Sequence, residues 1–229
     1  MFKRPELAIF DLDNTLYDYD MANSAGQAAL NSYLSKHLGR PEMEISRLLE
    51  ESRLRVKSRL GNTASSHNRL LYIRGLLVQL NIHTNAAFAL ECEQVFWREY
   101  LKKTRRFPGV DELFSYLRLG KTRTVLVTDL TSQIQLRKLA WLGLDKTFEF
   151  IITSEEAGGD KCTGLPETFL REFIVPMNET WSVGDKDWDH IFPNESKFFK
   201  KVSNGQVIEK SQSKFEFSSY EDLINKINF

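Results

Sequence analysis

The feature that most constrains the fold is a short apolar run that ends in two carboxylates, within Leu7-Ala-Ile-Phe-Asp-Leu-Asp-Asn-Thr-Leu16. The run is brief and follows Pro5, which favours a buried strand over a helix. In an extended chain, residues i and i+2 share a face, so Asp11 and Asp13 can reach one point just beyond the strand. Ligands of open α/β sheets bind at the carboxyl ends of strands, and this stretch therefore predicts a site there. A strand that runs into an ordinary Asp/Asn-rich turn would have the same residues.

Beyond this stretch the sequence pattern changes once, near residue 104. Residues 22–103 carry only helical apolar spacing, whereas residues 107–227 alternate between helical segments and short β-branched or aromatic runs. Further strands are predicted at residues 124–127, 148–153, 181–183 and 198–202. Such alternation implies a mainly parallel sheet with helices on both faces.

The sequence therefore predicts an α/β protein with an inserted helical domain. The core would be a Rossmann-like, three-layer domain made of residues 1–20 and 104–229, and the insertion an α-helical bundle over residues 21–103. Within the bundle, residues that can cap helices predict where the third and fourth helices begin. Ser65 or Ser66 would cap the third helix, and Thr84 the fourth.

The composition excludes several classes of partner. Lys+Arg and Asp+Glu both number 31 among 229 residues, so the net charge indicates neither a nucleic-acid nor a membrane partner. We see no signal peptide and no apolar segment long enough to span a bilayer. The two cysteines, Cys92 and Cys162, lack metal-ligand spacing and suit a reducing compartment, so we expect a cytoplasmic protein. The sequence leaves the oligomeric state open.

Four motifs, taken in order, resemble those of the haloacid dehalogenase superfamily. They are Asp11-Leu-Asp-Asn-Thr, Thr128 after a strand, Lys161 after a Gly-rich loop, and Gly184-Asp-x-x-x-Asp189. Residues 107–113, 136–144 and 152–156 resemble in particular the branch with a helical cap inserted after the first motif. That branch includes sugar-phosphate, N-acylneuraminate-9-phosphate and nucleotide phosphatases. One such motif is weak evidence, whereas four in order are specific.

The resemblance implies a phosphatase and gives the motif residues roles. Asp11 would attack the phosphoryl group and form an aspartyl-phosphate, and Asp13 would protonate the leaving oxygen and then deprotonate water. Thr128 and Lys161 would bind the phosphoryl group, with Asp129 also assigned to the phosphate pocket. Lys161 would in addition neutralise charge on the nucleophile. A haloacid dehalogenase does not need an acid at the position of Asp13, so this residue favours phosphoryl chemistry.

The same residues predict a metal site. Four carboxylates against one lysine leave a charge of about −3, and like charges 4 Å apart repel by about 4 kcal/mol at an effective dielectric of 20. A phosphate ligand therefore requires a cation, and oxygen ligands favour Mg²⁺. By resemblance, Asp11 and Asp185 supply carboxylate oxygens, Asp13 its backbone carbonyl, and Asp189 ligates the metal or holds its waters. The neighbouring Asp187 is an alternative to Asp189.

Two other functions stay open at this point. A phosphotransferase or mutase would pass the phosphoryl group to a sugar instead of water. A catalytically silent module would bind a phosphorylated ligand without turnover. The silent module stays open because of two departures from the family pattern. These are Asp129, where relatives often have asparagine, and the additional acid Asp187.

The helical insertion carries a local excess of positive charge. Six basic residues lie between Arg53 and Arg74 with no acid among them. One hypothesis is a surface that binds an anionic substrate, such as a small phosphorylated sugar acid or nucleotide, with His67 and Arg69 as its contacts. The alternative is a solvated helix surface balanced by the glutamates of residues 42–51.

Overall fold

The computed structural model describes residues 2–82, 85–203 and 208–227. The chain divides into two compact units, one made of Met1–Asp18 with Arg105–Phe229 and the other of Tyr19–Thr104. These bounds fall within two residues of the predicted domain bounds. That the two units act as a catalytic core and a cap stays a prediction.

The first unit contains a seven-stranded sheet. Its strands are β1 (Leu7–Phe10), β2 (Arg123–Thr128), β3 (Phe150–Thr153), β4 (Thr180–Gly184), β5 (Lys197–Lys201), β6 (Ile208–Ser211) and β7 (Lys214–Phe217). Their order is β3-β2-β1-β4-β5-β7-β6, and every neighbouring pair is parallel except β6 with β7. The predicted α/β class with a mainly parallel sheet is confirmed. The hairpin of β6 and β7 adds two strands to the five that were predicted.

Nine α-helices lie in the described part of the chain. They are α1 (Tyr19–Leu38), α2 (Glu42–Leu60), α3 (Arg69–Gln79), α4 (Ala86–Lys103), α5 (Val110–Leu119), α6 (Ser132–Leu142), α7 (Ser154–Ala157), α8 (Leu165–Leu170) and α9 (Tyr220–Asn225). The first four form the second unit, and the other five belong to the unit with the sheet. Across these described stretches, no helix combines the length and the apolar character that crossing a bilayer requires.

The strand β1 lies at the centre of the sheet and is buried along its whole length. Both of its faces are covered, as expected for a strand of a parallel sheet between helices. On one face, Phe10 packs against Phe114 of α5, with ring centroids 5.0 Å apart. The other face contributes to an apolar cluster that includes Leu7, Ile9, Val125, Val127, Ile152 and Leu170.

The register of the sheet brings three strand ends to one edge. Phe10 pairs with Leu126 of β2 on one side and with Val183 of β4 on the other. The backbone N–H of Asp11 continues this ladder by donating to Val183 O at 2.9 Å. The residues that follow β1, β2 and β4 therefore meet beyond the same edge, where the sequence predicts the site.

The second unit is helical throughout its described residues, as predicted, but two helix starts differ. The segment with Ser65 and Ser66 forms a 3₁₀ turn, Ala64–His67, instead of capping α3. The cap is Asn68, whose side chain accepts a hydrogen bond from Leu70 N at 2.9 Å, because an Asn side chain competes well for exposed N–H groups at a helix start. Thr84 lies outside the described residues. The cap of α4 is the next residue along, Asn85, which accepts from Phe88 N.

Candidate active site

Asp11 occupies the position directly after β1, with its side chain only 6% exposed. Its Oδ1 accepts a hydrogen bond from Lys161 Nζ at 2.5 Å, and its Oδ2 accepts one from Thr15 Oγ1 at 3.0 Å. Burial raises the pKa of Asp11 well above its ordinary value; Lys161 opposes this effect, and the carboxylates of Asp189 and Asp13 add to it. Both oxygens are thus held, and the charge of this carboxylate depends on the lysine.

Lys161 bridges two carboxylates from different strand ends. It opens a 3₁₀ turn, Lys161–Thr163, and its Nζ lies 2.5 Å from both Asp11 Oδ1 and Asp189 Oδ1. Burial alone lowers the pKa of Lys161, but Asp11, Asp189 and Asp129 raise it well above its ordinary value. Lys161 is charged because it faces three acids. Asp11 faces one ammonium group and further carboxylates, and those carboxylates add to the effect of burial on its pKa.

The carboxylate of Asp129 supports this lysine from the backbone side. Its Oδ1 accepts a hydrogen bond from the backbone N–H of Lys161 at 2.8 Å. Burial raises the pKa of Asp129, while Lys161 lowers it. The side chain that departs from the family pattern therefore positions the lysine turn. Binding of phosphate by Asp129 stays a prediction.

The fourth motif folds back on itself in a way that only glycine permits. The strand β4 ends at Gly184, and Asp189 Oδ2 accepts hydrogen bonds from the backbone N–H groups of Asp185 at 2.9 Å and Lys186 at 2.8 Å. A Cβ at position 184 would lie 2.1 Å from the Cβ of Asp189. The missing side chain of Gly184 is thus the space that Asp189 occupies.

Three of the four predicted metal residues form an acidic cluster. Asp11, Asp185 and Asp189 each offer a carboxylate oxygen, and these oxygens lie within 4.8 Å of one another. Asp189 Oδ1 is buried and makes no hydrogen bond of acceptable geometry among the described residues, although Lys161 is close. Burial also raises the pKa of Asp185. Lys186, whose Nζ lies 2.7 Å from Asp185 Oδ2, lowers it, but by less. Three carboxylate oxygens this close together, with one buried ammonium group beside them, form an oxygen-only set that fits a hard cation such as Mg²⁺.

The alternative metal residue, Asp187, lies outside this cluster. Its side chain is 76% exposed and pairs with Lys200 at 3.0 Å. Asp189, two residues on, is buried. Metal binding by either residue stays a prediction, and the geometry favours Asp189.

Asp13 lies in a different environment from Asp11, although the two residues are close in sequence. Lys138 Nζ donates to both of its carboxylate oxygens, at 2.9 Å to Oδ1 and 2.8 Å to Oδ2. The hydroxyl of Tyr17 also donates to Oδ1. The two neighbouring carboxylates are therefore each matched with their own buried lysine, Asp11 with Lys161 and Asp13 with Lys138.

Lys138 and its neighbour on the same helix, Gln135, were not among the residues predicted for the site. Gln135 Nε2 donates to Thr128 Oγ1 at 2.8 Å and to Asp129 O at 2.5 Å. A signal was present in the sequence, because Gln135, Lys138 and Leu139 follow the spacing of the buried face of α6. Two polar residues at core positions of an amphipathic helix indicate a buried polar network.

The remaining predicted residues, His67 and Arg69, belong to the second unit. Arg69 lies over the ring of Phe96, with its guanidinium carbon 4.2 Å from the ring centroid. It donates to two amide oxygens, of Asn23 at 2.8 Å and Gln27 at 3.4 Å. All these partners are neutral, although Arg69 also contributes, after Arg53, to lowering the pKa of Glu50. A substrate role for both residues stays a prediction.

The mainly parallel sheet has buried acids and a lysine at the carboxyl edge of its strands, and comparison with known proteins names the family. The model of the haloacid dehalogenase-like hydrolases matches residues 8–195. A ribulose-1,5-bisphosphate 5-phosphatase of Halopiger xanaduensis is 35% identical over 183 residues, which cover 77% of this chain and 75% of the relative. The chain therefore belongs to the haloacid dehalogenase-like hydrolase family, as its four motifs predicted.

Solved structures share the fold across nearly the whole chain. A hydrolase of this family from Bacillus subtilis, solved with bound magnesium, has a TM-score of 0.63 and 19% identity and covers 99% of this chain and 100% of its own. A 2-haloacid dehalogenase from Pseudomonas syringae pv. Tomato has a TM-score of 0.65 and 20% identity, with coverages of 98% and 97%. At such identities the likeness establishes the fold alone, so the reaction is argued from the site.

Proposed function

We propose that this protein is a Mg²⁺-dependent phosphatase that hydrolyses a small phosphorylated metabolite through an aspartyl-phosphate. The observation that carries the proposal is the different environment of two carboxylates at the end of β1. Asp11 belongs to the acidic cluster with Lys161, whereas Asp13 is bound by Lys138 and Tyr17. Nucleophilic attack and proton transfer need two separate groups, and the site offers both. The relative named as a phosphatase supports the same reaction class.

Asp11 is the nucleophile in this proposal. Its carboxylate oxygen attacks phosphorus, a new P–O bond forms, and the bond from phosphorus to the leaving oxygen breaks with its electron pair. The hydrogen bonds from Thr15 and Lys161 fix the direction of the carboxylate. Burial raises the pKa of Asp11, and the ammonium group of Lys161 opposes that rise, so the lysine favours the ionised form that attacks phosphorus.

Thr128 and Lys161 bind the phosphoryl oxygens. The hydroxyl of Thr128 accepts a hydrogen bond from Gln135, which leaves its own hydrogen to donate to a phosphoryl oxygen. The ammonium of Lys161 stabilises the negative charge that spreads over the phosphoryl group in the transition state. Both side chains are buried, so these interactions are screened little by water.

Asp13 transfers protons in both halves of the reaction. It gives a proton to the leaving oxygen as the aspartyl-phosphate forms. It then takes one from the water that attacks phosphorus and regenerates the carboxylate of Asp11. Proton transfer of this kind contributes about 10²–10⁴-fold to a rate.

Mg²⁺ fits the acidic cluster in charge and in donor chemistry. Asp11, Asp185 and Asp189 would hold it together with the backbone carbonyl of Asp13. When bound, it supplies positive charge that offsets the carboxylates and the phosphate dianion. Two buried lysines against four carboxylates leave a net negative site, so the phosphate needs this additional charge.

The substrate class that we propose is a phosphorylated sugar or sugar acid with a second anionic group. The relative from Halopiger xanaduensis is a phosphatase of a sugar bisphosphate. The hydrogen-bond partners of Arg69 are neutral side chains, and Arg69 with His67 would bind the second anionic group. The second unit would serve as the cap that excludes water during the first half of the reaction.

Phosphate release from a panel of sugar mono- and bisphosphates, sugar acid phosphates and nucleotides tests the proposal. Ribulose 1,5-bisphosphate belongs in the panel. The assay compares Mg²⁺ with a chelator for the wild type, Asp11→Asn and the exposed control Asp145→Asn. We expect Mg²⁺-dependent release that Asp11→Asn lowers about a thousandfold or more and that the control leaves within about twofold.

Two outcomes would contradict the phosphatase. An isomerised product without free phosphate would indicate a mutase. A folded protein that binds Mg²⁺ and a phosphorylated ligand but releases no phosphate from any compound would indicate a silent binding module.

A further inference from the structure

Lys138 is a buried cation without a role in the reaction described so far. Its side chain is 1% exposed, and it pairs with Asp13 through both carboxylate oxygens. Burial of an ammonium group costs several kcal/mol, and a well-packed apolar pair is often as stable as a buried ion pair. Stability alone therefore does not account for a lysine at this position.

Two further polar groups approach the same carboxylate. Tyr17 is fully buried, and its hydroxyl donates to Asp13 Oδ1. Gln135 Nε2 lies 3.5 Å from Asp13 Oδ2. Gln135 and Lys138 are three residues apart in α6 and so project from one helix face. With both oxygens engaged, the carboxylate of Asp13 has a fixed orientation.

The same helix face also holds the predicted phosphate pocket. Gln135 is fully buried and donates to Thr128 Oγ1 at 2.8 Å and to Asp129 O at 2.5 Å. One face of α6 thereby fixes the acid, Asp13, relative to the hydroxyl that would bind the phosphoryl group. A displacement of about 1 Å between reacting groups can lower a rate about 10²-fold, so holding Asp13 and Thr128 in fixed relative positions would affect the rate of the reaction.

We propose that Lys138 is a positioning residue that orients Asp13 for proton transfer to the leaving oxygen. The proposal rests on the phosphatase function given above. Asp13 enters this step as the protonated acid: its O–H bond breaks, its proton joins the leaving oxygen, the electron pair of the P–O bond passes to that oxygen, and the carboxylate left on Asp13 is the form that Lys138 binds. Lys138 acts through Asp13 and keeps its own protons.

The identity of the leaving group separates this role from a structural one. A sugar phosphate expels a strongly basic alkoxide and depends on the acid, whereas p-nitrophenyl phosphate expels a weakly basic phenolate and needs little help. The ratio kcat/KM reports the steps up to formation of the aspartyl-phosphate, which include leaving-group departure. General loss of fold or of phosphate binding would lower kcat/KM for both substrates alike.

The experiment measures kcat/KM of Lys138→Met for the best sugar phosphate of the panel and for p-nitrophenyl phosphate, with Mg²⁺ present. We expect a loss of about 100-fold for the sugar phosphate and of less than about fivefold for the aryl ester. Asp13→Asn should give the same selective pattern. The matched control is Arg137→Met, an exposed cation at the adjacent position of α6, which should change neither value.

Equal losses of Lys138→Met on both substrates, in a wild type that hydrolyses them, would overturn the positioning role and leave the phosphatase intact. A wild type that hydrolyses neither substrate would overturn the phosphatase and this inference with it. In the double variant with Asp13→Asn, Lys138→Met should add nothing, because both changes remove one function. If Lys138→Met does not fold, Tyr17→Phe keeps the ring, and its loss should again be confined to the sugar phosphate.

Discussion

The two units of this protein use charged residues in opposite ways. In the unit with the sheet, Asp11, Lys161 and Asp189 have side chains no more than 6% exposed and contact one another. In the helical unit, pairs such as Arg47 with Glu51 lie on the surface, with side chains 62% and 38% exposed. Exposed pairs contribute about 0–1 kcal/mol, whereas buried charges cost folding energy unless they are paired. The buried charges of the sheet unit thus carry a folding cost that the surface pairs of the helical unit do not, and this cost is consistent with the chemistry proposed for them.

The largest effect is expected at Gly184, because the buried Asp189 occupies the space that a side chain at position 184 would fill. Gly184→Ala places a Cβ against Asp189, and we expect a loss of about 2–4 kcal/mol in the free energy of unfolding together with lost Mg²⁺ binding. The matched control is Gly61→Ala in the helical unit, where φ is positive but no heavy atom lies within 4 Å. It should cost about 1 kcal/mol, from the backbone alone. Equal costs in chemical denaturation would contradict the steric argument.

A smaller effect, on the affinity for Mg²⁺, should distinguish Asp189 from Asp187 in the fourth motif. Asp189→Asn should weaken Mg²⁺ binding about 10- to 100-fold, because it removes a carboxylate from the cluster. Asp187→Asn should leave the affinity within about twofold, because that side chain is exposed and pairs with Lys200. Isothermal titration with Mg²⁺ measures both, and the reverse ranking would assign the metal to Asp187.

Arg69 belongs to the helical unit, but it donates hydrogen bonds to neutral side chains instead of forming a surface ion pair. Arg69→Met keeps the length of the side chain and its contact with Phe96, so the fold should be retained. We expect KM for the best bisphosphorylated substrate to rise about tenfold, the value of about 1.4 kcal/mol of lost binding, with p-nitrophenyl phosphate unaffected. If KM is unchanged for both compounds, Arg69 is a surface residue like its neighbours.

The buried charges should also limit stability in the absence of metal. Burial and neighbouring acids raise the pKa of Asp11, so this group favours the fold only while protonated, and its contribution is lost as the pH rises through the raised pKa. At pH 7 with chelator, we therefore expect Asp11→Asn to raise Tm by about 2–4 °C. The gain should shrink as the pH falls towards the ordinary pKa of an aspartate. A lower Tm for Asp11→Asn at pH 7 would mean that the bond to Lys161 outweighs the burial.

The smallest effect belongs to the helix surface. Arg47→Ala removes one exposed ion pair and should change the free energy of unfolding by less than about 0.5 kcal/mol. Chemical denaturation measures this value. A loss above about 1 kcal/mol would show that the surface charges of the helical unit are structural after all.

The sequence was sufficient for the parts of the site that follow strands. Asp11, Thr128 and Asp185 come after apolar runs, and parallel strands bring such positions to one edge. The choice between Asp187 and Asp189 needed the structure, because a 3₁₀ turn decides which carboxylate points inward.

Lys138 was missed for a different reason. A lysine in an amphipathic helix is usually solvated, and its burial depends on the partner that Asp13 provides from a distant part of the chain. For residues 203–213 the sequence left both an exposed loop and a hairpin open, because the segments of the hairpin of β6 and β7 are short and rich in polar residues. The burial of Lys138 thus depends on a long-range contact, which local sequence patterns do not carry.

The central position of β1 has a consequence for synthesis of the protein on the ribosome. This strand is made well before its two neighbours in the sheet, which begin only at Arg123 and Thr180. At about 5–20 residues per second, β1 waits for its first neighbour for roughly 6–23 seconds. During that interval its apolar residues and unpaired backbone are open to chaperones or to misassociation, so the strand that precedes the proposed nucleophile is also a segment exposed to misfolding during translation.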